Sequence, residues 1–374
     1  MRMPMTMSFY IGRQCLVAIA VAMLIVLSII GLIELVELLR RASHKENEVP
    51  FIIVLEMAFL KMPHTAEKVL PFAVLIGSMV ALTRLTKSSE LVVARASGVS
   101  VWQFLTPAVG LALLIGVVFM TVFNPISAAM ISRFEVVEGK YITGRPSLLS
   151  ISPSGLWLRQ VEEGSSTMSG KPIEEYIIHA KRISQADMSL SEVMILTFQS
   201  GNRFIGRINA PSAQLEQGHW QIENATMMIP GKVPEFKSEY QLSTDLSINE
   251  IQESFASPKT LSFWELPGFI SMLERAGFSA LRHKLYFQSL LSGPVLLAGM
   301  VLIAAVFSLR LHRRGKINVM IVGGILTGFV VYFTTNLVYA LGYSGALPIA
   351  LAAWTPPLVV AMVAVASLLH LEDG

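Results

Sequence analysis

Residues 101–123 read VWQFLTPAVGLALLIGVVFMTVF, without a single Asp, Glu, Lys or Arg. A bilayer core about 30 Å thick takes about 20 mostly apolar residues per spanning helix, because a backbone polar group left unpaired in hydrocarbon is too costly. This run is therefore a membrane span. The next stretch is of another kind: positions 124–284 hold 32 of the 55 formal charges in 161 of the 374 residues. A spanning helix that gives way to a charged insert makes the chain a membrane protein interrupted by a polar lobe, and the remaining spans are sought on either side.

Gln14 to Ile33 and Leu285 to Leu309 are equally free of charge, and each is long enough to cross alone. Ile317 to Leu371 is uncharged and long enough for two helices, with Gly342-Tyr343-Ser344-Gly345 and Pro348 as the turn between them. The sixth candidate, Val69 to Leu82, is too short by itself. Its helix is expected to begin near Pro63, to carry Glu67 and Lys68 at its end, and to kink at Pro71. The fold class expected is thus an α-helical membrane protein with six spans, three before and three after an inserted lobe. The divisions are 1–123 with a short helix at about 86–98, the lobe at 124–260, and 261–374. The first apolar run exceeds the roughly 7 to 15 residues of a signal-peptide core, so it is read as a retained anchor.

Composition removes several classes of function. Charged residues are 15% of the chain against roughly 25% in soluble domains, and hydrophobic residues are 53%. A net charge of +3 with scattered basic residues gives no face for nucleic acid. Cys15 is the one cysteine, so the lobe folds without disulfides. The sequence contains no G-x-x-x-x-G-K-[ST] phosphate loop, no H-E-x-x-H pair and no G-x-S-x-G elbow, so energy from ATP must come from another chain. Histidines such as His64, His179 and His219 lack ligand spacing, and no metal or other cofactor is assigned. The secure spans hold no ionisable carboxylate or base, which argues against an ion-coupled transporter.

Basic residues in short loops set the orientation. Arg84, Lys87 and Arg95 lie between spans two and three, and Arg310, Arg313, Arg314 and Lys316 between spans four and five. Both loops and the N-terminus are expected in the cytoplasm, which exports the lobe. Arg40, Arg41 and Lys45 fall on the outer side against that rule. The lobe reads as short strands in an all-β sandwich or roll: Gly155 to Arg159, Tyr176 to Ile178, Val193 to Phe198 and Trp220 to Ile222 are β-branched or aromatic, with Gly, Pro, Ser and Asn between them. On the cytoplasmic side, Thr86 to Gly98 has Ser88 or Ser89 to cap a helix start, Glu90 in the first turn and Gly98 to end it. By pattern it is either an amphipathic connector or a helix that docks into a motor subunit.

The run Ser89-Glu90-Leu91-Val92-Val93-Ala94-Arg95-Ala96-Ser97-Gly98-Val99-Ser100, with Leu70-Pro71-Phe72 before it, resembles the LptF/LptG family of lipopolysaccharide export ABC transporter permeases. Glu-Leu-Val-Val is more similar to the LptG branch. The likeness continues through Ser147 to Ser150 with Gly155-Leu156-Trp157, through Leu285 to Arg310, and through Leu341-Gly342, Leu347-Pro348 and Ala352-Ala353-Trp354, covering essentially the whole chain. It implies a permease subunit, not an enzyme, in a Gram-negative-type inner membrane, with a periplasmic β-jellyroll-like domain. It implies an LptF-like second permease, a cytoplasmic LptB-like ATPase homodimer, LptC-like and LptA-like bridge proteins, and lipopolysaccharide as the cargo passed toward the outer membrane. The family's coupling glutamate falls on Glu90, with Ser89, Leu91 and Arg95 around it. Its head-group cations fall on Arg40 and Arg41, near Glu34 and Glu37, with Arg133 close to a further one. Glu34 departs from the pattern, standing where a lysine occurs in the family. Glu37 and Arg41 also have the i, i+4 spacing of a simple ion pair. Two other readings stand beside this one. A lipoprotein-exporting ABC permease would usually join four spans to its lobe, and a polytopic envelope enzyme would need an acid or histidine cluster at a span mouth.

Overall fold

The computed structural model describes residues 5–43, 49–88, 90, 99–143, 149–152, 155–161, 174–183, 189–199, 203–216, 218–244, 257–275, 279–311 and 317–373. The chain forms two compact units: a helical one of Met1–Thr143, Pro258–Leu266 and Leu281–Gly374, and a second of Gly144–Ser257 with Pro267–Ala280. In the helical unit α1 is Met5–Ser43, α2 Phe51–Lys87, α3 Val101–Val118 and α4 Asn124–Glu138. After the insert come α5, Leu266–Arg275, then α6, Leu281–Leu311, α7, Ile317–Tyr343, and α8, Ile349–Asp373. Six stretches are long and apolar enough to cross a membrane: Met5–Ser43, Phe51–Lys87, Val101–Ile142, Leu281–Leu309, Val322–Tyr343 and Ile349–Leu371. They fall three before and three after the lobe, as the charge distribution requires.

Two helices run further than hydropathy alone implies. The second begins at Phe51, with Pro50 as its N-cap, and continues through Pro63 and Pro71. Its early turns are held by packing: Val54, Met57 and Leu60 bury against Leu38 and Ala42 of α1 and against Ile131 and Phe134 of α4. The same turns leave Phe51, Ile52, Leu55 and Phe59 exposed, so one face of the extension packs on protein and the other stays apolar and open. The third span likewise does not stop at Phe123. A π-helical turn, Phe119–Phe123, passes directly into α4, and a second one, Gly139–Thr143, follows it. Pro125 has no N–H to give and its ring crowds the carbonyl four residues back, that of Thr121. Widening the turn absorbs the clash, and the freed Thr121 oxygen accepts a hydrogen bond from Trp264 Nε1 at 3.0 Å.

The transmembrane core is made from small and apolar residues. Ile11, Cys15 and Ile19 of α1 pack with Val74 and Leu75 of α2, Phe104 and Ala108 of α3, and Val301 and Ala305 of α6. Close crossings rest on glycine: a Cβ at Gly77 would lie 2.5 Å from the Ile19 backbone, and one at Gly116 2.5 Å from the Pro294 backbone. Lipid offers no hydrophobic drive between helices, so such close approach is how they hold together.

The lobe carries a seven-stranded antiparallel sheet in chain order β1 to β7. The strands are β1 Leu149–Ser152, β2 Gly155–Val161, β3 Glu174–Ile183, β4 Ser189–Gln199, β5 Arg203–Glu216, β6 His219–Met228 and β7 Glu235–Ser243. The strand segments read from sequence fall in β2, β3, β4 and β6. Alternate residues bury one face, with Leu158, Ile178, Ile195, Ile208, Trp220, Ile222 and Leu242 all nearly inaccessible. Gln160 Nε2 donates to Ser243 O at 2.6 Å, which brings β2 onto the end of β7 and curls the sheet around that core. Helix α5 was not legible in the sequence. It follows a capping box in which Ser262 Oγ and N meet Glu265 Oε2 at 2.7 and 3.0 Å and Glu265 N donates back to Ser262 Oγ. Those two bonds to the ionised oxygen hold the Glu265 carboxyl below the usual carboxylate range.

Candidate functional site

The charged residues singled out near the end of span one gather with partners from two other helices. Helix α1 is unbroken from Met5 to Ser43, so Glu34, Glu37, Arg40 and Arg41 lie on two consecutive turns beyond its apolar run. Leu38 and Ala42 on the same turns point into the α1–α2–α4 cluster. That anchoring leaves the charged positions at the rim. Glu37 receives both arginines: Arg40 Nη2 is 2.8 Å from Oε2, and Arg41 Nε is 3.0 Å from Oε1. Arg41 also reaches Glu138 of α4 at 3.6 Å. Arg133, one helical face along α4, pairs with Glu56 of α2 at 2.9 Å. The i, i+4 pair foreseen between Glu37 and Arg41 is present.

Glu34 is tied inward. Lys61 of α2 stands 3.4 Å from it and Thr65 Oγ1 donates to it at 3.1 Å. Lys61 lies over the Phe134 ring as well, 5.8 Å from the centroid. Glu34 on the first helix is thus faced by a lysine, Lys61, from the second. The arginines remain mostly open, with side chains 68% exposed for Arg40, 51% for Arg41 and 69% for Arg133, whereas Glu34 is 19% exposed. Exposed ion pairs of this kind are weak and exchangeable. The ensemble is a ring of cations lightly held by carboxylates, a surface able to trade those carboxylates for a more highly charged anion.

Beside the ring, α1 and α2 diverge around an apolar groove of about 740 Å³ lined by Gly31, Leu32, Leu35, Leu55, Phe59 and Met62, with Glu56 at its edge. A second, smaller cavity of about 180 Å³ lies deeper, among Glu67, Pro71, Gly116, Phe119 and Gly293. Above it Asn124, 1% exposed, donates to Glu67 Oε1 at 3.2 Å and to the Tyr286 hydroxyl at 3.1 Å, and accepts from Phe263 N at 2.8 Å. This single amide joins α2, α4, α6 and the segment before α5. Among the described residues no group of three or more His, Cys, Asp or Glu forms a metal cluster.

The opposite end of α1 holds the other predicted site residue. Glu90 Oε1 lies 2.8 Å from Ser88 Oγ and 3.4 Å from the hydroxyl of Tyr10. Ser88 closes α2 as its C-cap, its hydroxyl near the carbonyls of Arg84 and Leu85. Ser89, Leu91, Arg95 and the rest of the expected docking helix lie outside the described residues. Reading the sequence missed Glu56, Lys61, Thr65, Glu138 and Tyr10. Only the four-residue spacing of Lys61 and Thr65 hinted at a shared face, and nothing in the sequence said which helix that face meets.

Comparison with known proteins then points one way. A family model described as lipopolysaccharide export system permease LptF/LptG matches residues 9–370. The lipopolysaccharide export system permease protein LptG of Haemophilus influenzae is 24% identical over 338 residues, 89% of each chain. That of Escherichia coli K12 is 23% identical over 329 residues, 86% of each chain.

Proposed function

Because this chain belongs to the LptF/LptG family of lipopolysaccharide export system permeases, a multi-pass inner-membrane family, we propose how it handles its cargo. The chain is the permease half that takes lipopolysaccharide from the outer leaflet and delivers it to a periplasmic bridge. It pairs with an LptF-like chain, takes its energy from an LptB-like ATPase homodimer docked at Glu90, and hands on to LptC-like and LptA-like proteins. The basic loops keep both termini and the Glu90 segment in the cytoplasm. In that orientation Arg40, Arg41 and Arg133 face the periplasmic edge of the bilayer and bind the phosphates of the head group, while acyl chains enter apolar surface first between the helices and then on the buried face of the sheet. The observation that carries this reading is the ring itself. Arg40 and Arg41 at the end of α1, which run against the positive-inside rule on the orientation above, and Arg133 of α4 are each paired with a carboxylate, and the α1–α2 surface near them holds an apolar groove of about 740 Å³.

Arginine suits this task because its planar fork binds phosphate bidentately and stays charged. Lysine would serve equally well as a mere interfacial anchor. Lipopolysaccharide binding in detergent is therefore compared for Arg40→Lys/Arg41→Lys and Arg40→Gln/Arg41→Gln. A loss of about threefold for the lysine pair and about tenfold or more for the glutamine pair is expected, since charge-assisted bonds are the strong ones. Binding by the glutamine variant equal to the parent's overturns the assignment.

A further inference from the structure

Near its N-terminal end the long first helix touches Glu90 through Tyr10. The Tyr10 hydroxyl donates to Glu90 Oε1 at 3.4 Å and accepts from Gln14 Nε2, one turn along, at the same distance. With a lone pair occupied by the amide, the hydroxyl hydrogen is left for the carboxylate. The next turns of α1 are firmly seated: Ile11, Cys15 and Ile19 are at most 4% exposed and pack in the transmembrane core. From Tyr10 the helix continues without interruption to Arg41, a rise of about 46 Å at 1.5 Å per residue. The same rigid rod thus carries Tyr10 at one end and the Glu37–Arg40–Arg41 group at the other.

We propose that Tyr10 is a positioning residue that links Glu90 to the first helix, so that displacement of the Glu90 segment by the ATPase is passed along α1 to the arginine ring. This rests on the reading of Glu90 as the ATPase-docking residue. When the carboxylate is drawn toward a motor subunit, Tyr10 either follows it or gives up its acceptor, and both change the free energy of α1's N-terminal end. Packed helices respond to such a bias by shifting as units rather than by bending smoothly. Gln14 acts one step further back, by orienting the hydroxyl.

The test uses the assembled transporter in proteoliposomes and reads lipopolysaccharide released to an acceptor per ATP hydrolysed, with the amount of assembled complex measured alongside. Tyr10→Phe keeps the ring and removes only the hydroxyl. The ratio is expected to fall about three- to tenfold, as for loss of one ordinary hydrogen bond, and Gln14→Met to give a smaller fall. In the double variant Tyr10→Phe/Glu90→Gln the ratio should be no lower than in Glu90→Gln alone, because both changes cut one link. An unchanged ratio in Tyr10→Phe, additive losses in the double variant, or a loss matched by an equal loss of assembled complex overturns the proposal. Glu90→Ala keeps the two readings apart. If that variant exports like the parent, the docking role of Glu90 is wrong and the link falls with it. If it abolishes export while Tyr10→Phe is silent, only the link is wrong.

Discussion

At the level of single residues, Glu37 is the partner of two arginines and, on the head-group reading proposed above, the competitor of their ligand. Its oxygens stand 2.8 and 3.0 Å from Arg40 Nη2 and Arg41 Nε, in a setting open enough for solvent to screen the attraction. On that reading, a dianionic phosphate, with more charge and more acceptor atoms than this carboxylate, would displace Glu37 at small expense. Neutralising the competitor should therefore help: Glu37→Gln is expected to tighten lipopolysaccharide binding in detergent about two- to fivefold, the span of weak exposed pairs. Equal or weaker binding would mean that Glu37 aims the arginine forks rather than occupying them. Glu34 differs in kind, since it is largely buried and satisfied by Lys61 and Thr65, and losing it would leave the half-buried Lys61 without its carboxylate.

Among the elements, the crossing of α1 and α2 sets where the arginine ring stands, and Gly77 sets the crossing. A Cβ there would meet Ile19 Cα at 2.5 Å and Ile19 N at 2.7 Å, so even alanine drives the helices apart. Gly77→Val should lower stability by about 1–3 kcal/mol, the usual cost of overpacking, read as a lower unfolding midpoint in detergent. Gly110 of α3 provides the control, because a Cβ added there would meet nothing within 4 Å. Gly110→Ala should be neutral or stabilising by up to about 1 kcal/mol from helix propensity. Equal midpoints for Gly77→Val and the parent would show that the crossing is loose. The long third helix is an element of the same sort, in which one proline, Pro125, widens a turn and creates the acceptor that Trp264 uses.

For the molecule as a whole, the two units differ in character: the helical unit has charge beside an apolar groove, and the sheet unit has a continuous apolar face turned inward. Ile178, Ile195 and Ile208 are in register on three neighbouring strands and are at most 4% exposed. Their chain neighbours Ile177, Leu196 and Arg207 form the adjacent row on the other face. If the sheet's inner face takes acyl chains during transport, photo-crosslinkers at the first three positions should capture lipopolysaccharide during ATP-driven export and those at the second three should not. Capture without a two-residue period would assign the lobe a structural role alone.

The six spans, their division about a polar lobe and the strand character of that lobe were all legible in the amino-acid order. Each is a property of composition and period along the chain: lipid demands about 20 apolar residues per helix, and a half-buried strand demands alternation. Arg40 and Arg41 stood out for a related reason, as basic residues at the helix end opposite the basic loops. Which residues face each other is settled only by packing in three dimensions. That Lys61 answers Glu34, that Glu56 answers Arg133 and that Asn124 gathers Glu67, Tyr286 and Phe263 depend on how α2, α4 and α6 cross. Those crossings come from close packing at Gly77 and Gly116 and from burial of Val54, Met57 and Leu60 against α1 and α4. Hydropathy weighs each residue against lipid or water, and so it is silent about which helix a given face will meet.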